Sequence, residues 1–228
     1  TGNFAKAYSD FNANNHSGRN IAFGVREFPM AAMMNGMALH GGVIPFGGTF
    51  LVFADYERPA LRLGAIQDVR VIHEFTHDSF HVGEDGPTHQ PIEQAMALRA
   101  IPGFNVFRPA DARETAVCFR LALENIETPS ALLLTRQGVP VTDQDYETLE
   151  ASVRKGAYVI KDCDGAPELV FIATGSEVSL AVETAENMSD KRVRVISMPC
   201  MEIFNEQDSD YKEKLIPERG CLKITLEA

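Results

Sequence analysis

With 228 residues, 45% hydrophobic and 23% charged, the chain has apolar mass for one large or two smaller packed domains, which excludes a disordered segment. Its net charge of −11 excludes a nucleic-acid binder, which needs a basic stripe against phosphates, so any anionic substrate has to be met by a few local cations. The four cysteines, Cys118, Cys163, Cys200 and Cys221, are far apart with no CxxC pair, which excludes a zinc ribbon and predicts free thiols in a reducing cytoplasm.

Residues 1–20 are rich in Asn, Ser and Gly and read as loop. A helix is predicted from Glu27-Phe28-Pro29-Met30, with Pro29 in its first turn and Gly41-Gly42 closing it. Phe28 to Ala54 contains no Asp, Glu, Lys or Arg, yet five glycines, two prolines, Asn35 and His40 interrupt the run. A buried helix followed by buried extended chain from Val43 to Phe53 accounts for this better than a membrane span.

Asp55 is expected to cap a helix through Leu61 and Leu63, and Val69 to His77 alternates as a strand. A loop from Asp78 to Pro91 leads to a helix through Met96 and Leu98, stopped by Pro102-Gly103. Asn105 to Phe107 reads as a short strand, and Asp111 with Glu114 resembles a capping box opening a helix to about Asn125. Ala131 to Thr135 is the next strand, with Arg136 leaving its end.

Residues 142–150 are polar and acidic and are expected to be a linker between residues 1–141 and 151–228. The second unit reads as strand Leu169–Ala173, a helix from Ser176 to about Met188, strand Val193–Ser197 and a C-terminal strand. Alternating strands and helices predict parallel α/β layers in both units, the second of them truncated. The chain opens without Met and closes on Leu222-Lys-Ile-Thr-Leu-Glu-Ala228, a strand with nothing after it, so a fragment is expected. No signal peptide is recognisable.

The most informative segment is Gly83-Glu-Asp-Gly-Pro-Thr-His-Gln-Pro91. Two glycines and two prolines fix its path directly after the strand ending at His77, where open α/β sheets collect ligand groups. Asp85 and two imidazoles there can hold hydroxyls and exchange protons, or the loop is simply rigid. Four of the six histidines, His73, His77, His81 and His89, fall within 17 residues. The first three have helical ligand spacing, but an alternating strand and a Gly/Pro loop break the helix, so no metal site is expected.

Glu27 is either a first-turn acid favoured by the helix dipole or a functional carboxylate. Phe50, Phe53 and Tyr56, three residues apart, are either core or an aromatic pocket. Arg136 is placed to bind a phosphate bidentately or to cap a helix.

Taken together these segments resemble the pyrimidine-binding domain and the start of the C-terminal domain of transketolases. The likeness covers nearly the whole chain from Asn20. It rests on Gly24-Val-Arg-Glu-Phe28, Phe46-Gly-Gly-Thr-Phe-Leu-Val-Phe-Ala-Asp-Tyr56, Thr76-His-Asp-Ser79, the 83–93 loop, Leu134-Thr-Arg-Gln137 and Ile172-Ala-Thr-Gly-Ser-Glu-Val178. It implies a thiamine-diphosphate-binding fold, a parallel sheet with flanking helices. The implied reaction moves a two-carbon ketol unit between a phosphorylated ketose and an aldose. Glu27 matches the glutamate at the aminopyrimidine nitrogen, whose shared proton favours the imino tautomer, and Phe50, Phe53 and Tyr56 match the pocket around that ring. His77 and His89 match the histidines on sugar oxygens, Asp85 the acid on a sugar hydroxyl, and Arg136 the arginine on the phosphate.

The diphosphate motif and its ligands for Mg2+ or Ca2+ are not in this chain and belong, by the resemblance, to a missing N-terminal domain. A homodimer with its active site between subunits is implied, with inactivity of the fragment alone. Pro29 stands where the family has Gly, Phe80-His81 where it has Ile-Gly, and residues 1–20 match poorly. A formaldehyde-accepting relative, a deoxyxylulose phosphate synthase and a non-catalytic subunit are the rival readings. The wording of the two His-bearing segments and the joint retention of Glu27, His77 and His89 speak for transketolase.

Overall fold

The computed structural model describes residues 7–228, so the loop expected over 1–20 lies partly outside the described residues. Residues 10–20 form a loop closed by a bridge between Asp10 and Asn20. The first unit comprises helix α1 (Glu27–His40), strand β1 (Phe46–Phe50), a 3-10 turn (Leu51–Phe53), α2 (Ala54–Ile66) and β2 (Ile72–Thr76). It continues with 3-10 turns at Gly83–Asp85 and Pro87–His89, then α3 (Gln94–Arg99), β3 (Asn105–Phe107), α4 (Ala112–Glu124) and β4 (Ser130–Leu134). Its sheet has the order β1-β2-β4-β3, and every pairing in it is parallel.

The charge-poor run from Phe28 is a helix with one buried face. The buried extended chain expected from Val43 to Phe53 is extended only at Phe46–Phe50 and half-buried there, with Val43 and Ile44 exposed and Leu51–Phe53 in a 3-10 turn. Met30, Ala31, Met34 and Asn35 of α1 are buried, and Asn35 donates to the Ala60 carbonyl at 2.8 Å, fastening α1 to α2. Asp55 does not cap α2. The N-cap is Phe53, because the preceding 3-10 turn runs directly into the helix, and Asp55 sits in the first turn bonded to Arg58. The strand expected over 69–77 spans only Ile72–Thr76: His77 takes a positive φ at its end, and its pairing with β1 and β4 begins at Ile72.

The second unit contains α5 (Tyr146–Val153), β5 (Tyr158–Lys161), β6 (Leu169–Ala173), α6 (Glu177–Asn187), β7 (Val193–Ser197), α7 (Met201–Asn205), α8 (Ser209–Leu215) and β8 (Leu222–Leu226). Its sheet runs β5-β7-β6-β8, and here the expectation of parallel strands fails: β5 lies antiparallel to β7 at the edge. An edge strand of four residues with a bulge between Val159 and Lys161 carries no readable alternation.

The stretch 142–150 is irregular only to Asp145. From Tyr146 it is helical, capped by Asp145 on the Thr148 amide, and Leu149 and Val153 are fully buried. These two join Ile72, Phe107, Val117, Cys118, Leu132, Tyr158 and Cys200 in one core shared by both sheets.

Glu114 seals the same contact. Its carboxylate accepts from the Ala110 amide (2.7 Å), the Tyr158 hydroxyl (2.7 Å) and the Ser197 hydroxyl (2.6 Å). Burial pushes the Glu114 carboxyl above its ordinary range, with those three donors acting against the rise. Asp111 caps α4 on the Arg113 and Glu114 amides as the capping-box reading requires, but Glu114 reaches back to Ala110 rather than to Asp111. No helix among the described residues is long and apolar enough to cross a membrane.

Candidate functional site

Because the first sheet is parallel, its strands all deliver their C-terminal residues to one edge. Phe50, Thr76 and Leu134 share one row there, so Phe50, His77 and Arg136 leave the sheet side by side. The Phe50 ring stacks on the His77 imidazole at 3.6 Å and 22°. Phe53 lies 6.2 Å from Phe50, nearly parallel to it, and meets His89 edge-on at 5.4 Å. Tyr56 follows at 6.2 Å from Phe53 and is 65% exposed, so its ring is open to a ligand.

His77 has φ +57°, an uncommon conformation for a residue with a side chain, and its Nδ1 lies 3.0 Å from the Thr76 hydroxyl. The Thr88 hydroxyl holds His89 Nδ1 at 2.9 Å in the same way. Both imidazoles are thereby oriented by a neighbouring hydroxyl, with Nε2 left for other partners. Burial lowers the His77 pKa below the usual histidine value; Asp85 opposes this, Arg136 adds to it, and smaller opposing effects come from Asp78 and His89. The His77 ring is therefore neutral at neutral pH, able to accept or donate a hydrogen bond.

Arg136 rests against the glycine loop. A Cβ on Gly83 would stand 3.3 Å from its guanidinium, so glycine lets the cation lie close. Its ion pair with Glu84, at 3.5 Å, is solvent-exposed and worth little, which leaves Arg136 ready to exchange partners.

Glu27 opens α1. A Cβ on Gly47 would collide with Met34 Sδ, so Gly47 and Met34 lie level where the two elements pack. The short link from His40 to Phe46 returns β1 antiparallel to α1. From Met34 back to Glu27 the helix travels about 10 Å, and from Gly47 to Phe50 the strand travels about the same. Glu27 therefore falls level with Phe50, at the same sheet edge. Its carboxylate makes no hydrogen bond or ion pair among the described residues.

The sequence reading did not single out three buried residues that hold this loop. Gln94 donates to Asp55 at 2.9 Å and accepts from the Ile92 amide, tying the Thr88-His89-Gln90-Pro91 segment to α2. Asp78, directly after His77, accepts from Arg108 Nε at 2.8 Å. Arg108 leaves the end of β3 as Arg136 follows the end of β4, so an arginine at a strand's C-terminal end was the signal available in sequence.

Of the four clustered histidines only His77 and His89 come together at this edge. His73 is buried 3.4 Å from Glu57, with its ring near Phe75 and Phe104, while His81 is exposed against Phe80. Among the described residues no group of three or more His, Cys, Asp or Glu is arranged to hold a metal ion.

Two family models match the chain: "Transketolase, pyrimidine binding domain" over residues 1–142 and "Transketolase-like TK C-terminal domain" over 156–228. The transketolase of Staphylococcus aureus is 50% identical over 221 residues, 96% of this chain and 33% of that protein. A transketolase structure from Leishmania mexicana superimposes with a TM-score of 0.92 at 47% identity, covering 97% of this chain and 32% of the other. A Pichia stipitis transketolase in complex with sedoheptulose 7-phosphate gives 0.89 at 38% identity, covering 97% and 33%. The chain thus spans about a third of the length of the relatives it matches.

Proposed function

This chain belongs to the transketolase family, and on that premise we propose that it supplies the pyrimidine and substrate side of a thiamine-diphosphate-dependent enzyme moving two-carbon ketol units between phosphorylated ketoses and aldoses. The observation that carries the reading is the gathering of Phe50, Phe53, His77, His89 and Arg136 at one sheet edge, where the phosphosugar of the Pichia stipitis complex supplies the substrate class.

The residues present fit an aminopyrimidine. Phe53 and Tyr56 offer aromatic surface to a flat heterocycle, and Glu27 brings to the same edge a carboxylate without a partner of its own. When bound, the cofactor supplies the electron sink that carbon–carbon cleavage needs. Glu27 holds the proton at the ring nitrogen, and the aromatic side chains exclude water. Neutral His77, with His89, exchanges hydrogen bonds with sugar oxygens, Asp85 takes a sugar hydroxyl, and Arg136 takes the phosphate.

The diphosphate and its Mg2+ or Ca2+ are assigned to a domain outside this chain, and residues 1–141 and 151–228 to the pyrimidine-binding and C-terminal domains joined through 142–150. A homodimer is supported by the exposed apolar surface of Phe28, Met33 and Leu39 on α1, continuing into Val43 and Ile44. The cytoplasm is the compartment in which its free cysteines fit.

The test is complementation. The chain alone should show no ketol transfer from a ketose phosphate to ribose 5-phosphate, and mixing it with a diphosphate-binding half should restore transfer. Glu27→Ala should then lower turnover about 10²–10⁴-fold. Turnover by the chain alone, or a near-normal Glu27→Ala variant at saturating cofactor, would refute the assignment.

A further inference from the structure

Arg108 is fully buried, and the second unit holds it by backbone and side chain together. Its amide donates to the Pro199 carbonyl at 2.8 Å, and its own carbonyl accepts from the Gly175 amide at 3.0 Å. Nη1 donates to the Thr174 carbonyl (2.9 Å), to the Thr174 hydroxyl (2.8 Å) and to the Glu177 carboxylate. The guanidinium fits only because position 175 is glycine: φ there is +57°, and a Cβ would stand 2.8 Å from Arg108 Cζ.

The Thr174-Gly-Ser-Glu177 turn is itself braced. Ser176 donates to Glu177 at 2.7 Å, and Thr174 donates to Glu227, which in turn pairs with Arg99. What remains of Arg108 faces the first unit, where Nε reaches Asp78. Burial works against the Arg108 charge, but Asp78 and Glu177 beside it outweigh that cost and hold the cation.

Asp78 immediately follows His77, whose positive φ costs free energy and persists only where surrounding contacts over-determine it. Among the described residues, the Asp78 carboxylate has one side-chain partner, Arg108. We infer that Arg108 is a positioning residue through which the Thr174-Gly-Ser-Glu177 turn of the second unit fixes His77 over Phe50. The turn is then a latch acting on the substrate side of the site. It binds no ligand itself, and the second unit contributes to sugar handling without touching the sugar. The inference rests on the reading of His77 as a substrate-contacting residue.

The test uses the full-length enzyme with Glu177→Gln, which keeps the volume and removes one charge from the latch, and Thr174→Val as a milder change. Each should shift and broaden the His77 imidazole resonances and speed hydrogen exchange over residues 77–82. Each should also lower kcat/KM for phosphosugars, on the order of 10–100-fold for Glu177→Gln, because small misplacements at a reacting centre cost that much. The KM for thiamine diphosphate should stay unchanged. Unaltered His77 resonances and exchange in two folded variants would overturn the inference, as would equal losses toward cofactor and sugar. Displaced His77 resonances with undiminished turnover would uphold the latch and sink the substrate role of His77.

Discussion

At the scale of single residues the site is a set of opposed charges around one imidazole. Asp85 raises the His77 pKa and Arg136 lowers it, so removing either moves the titration in a known direction. Asp85→Asn should lower the His77 pKa further, and Arg136→Ala should raise it toward the ordinary histidine value, read by NMR titration of the ring protons. Opposite movements would mean that other groups set its protonation. If Arg136 carries the sugar phosphate, Arg136→Ala should also raise KM for phosphorylated sugars about 10- to 150-fold, the worth of a charged hydrogen bond. Unphosphorylated analogues should be little affected, and equal effects on both would assign the arginine a structural role. Six of the eight candidate residues leave strand ends or loops, which glycine, proline and alternation mark in a sequence, while Glu27 and Tyr56 sit in the first turns of helices. Arg108 stands at a strand's C-terminal end, which a sequence can show, but its pairing with Asp78 joins distant segments and leaves no local pattern.

At the scale of elements, legibility followed local pattern and not length: the three-residue β3 was readable and the eight-residue α5 was not. β3, β6 and β7 were readable to the residue because short turns bound runs that are mostly apolar or β-branched. α5, β5, α7 and α8, of four to eight residues, were missed because packing, not periodicity, makes them. The cap of α4 shows how a legible signal can understate its content. Asp111 serves the Arg113 and Glu114 amides through one oxygen and the Thr142 amide and hydroxyl through the other. Asp111→Ala therefore removes a helix cap and a tether of the 142 segment at once. A loss of about 2–4 kcal/mol is expected in urea unfolding, cap and buried hydrogen bonds together. A loss confined to a few tenths would mean that water replaces those bonds.

At the scale of the whole molecule, sequence composition suggests two bodies on a polar tether, while one of the hydrophobic core clusters draws its residues from both. Leu149 and Val153 sit in that core although their neighbours Glu147 and Glu150 made the segment look solvated. A helix with one buried face has the composition of a linker when averaged over both faces.

The Glu114 joint also makes the union of the two sheets a proton-binding reaction. A carboxyl whose pKa rises from its usual 4.5 on folding takes up protons as the chain folds. Its contribution is then fullest below that value and is lost as pH climbs through the higher folded pKa. Glu114→Gln cannot titrate there, so the stability of the natural protein minus that of the variant should grow as pH falls across this window, measured by chemical denaturation. A difference independent of pH would show that Glu114 is ionised equally well in both states. Mild acidity, usually an agent that prises carboxylate contacts apart, is here a condition under which this seam closes more tightly.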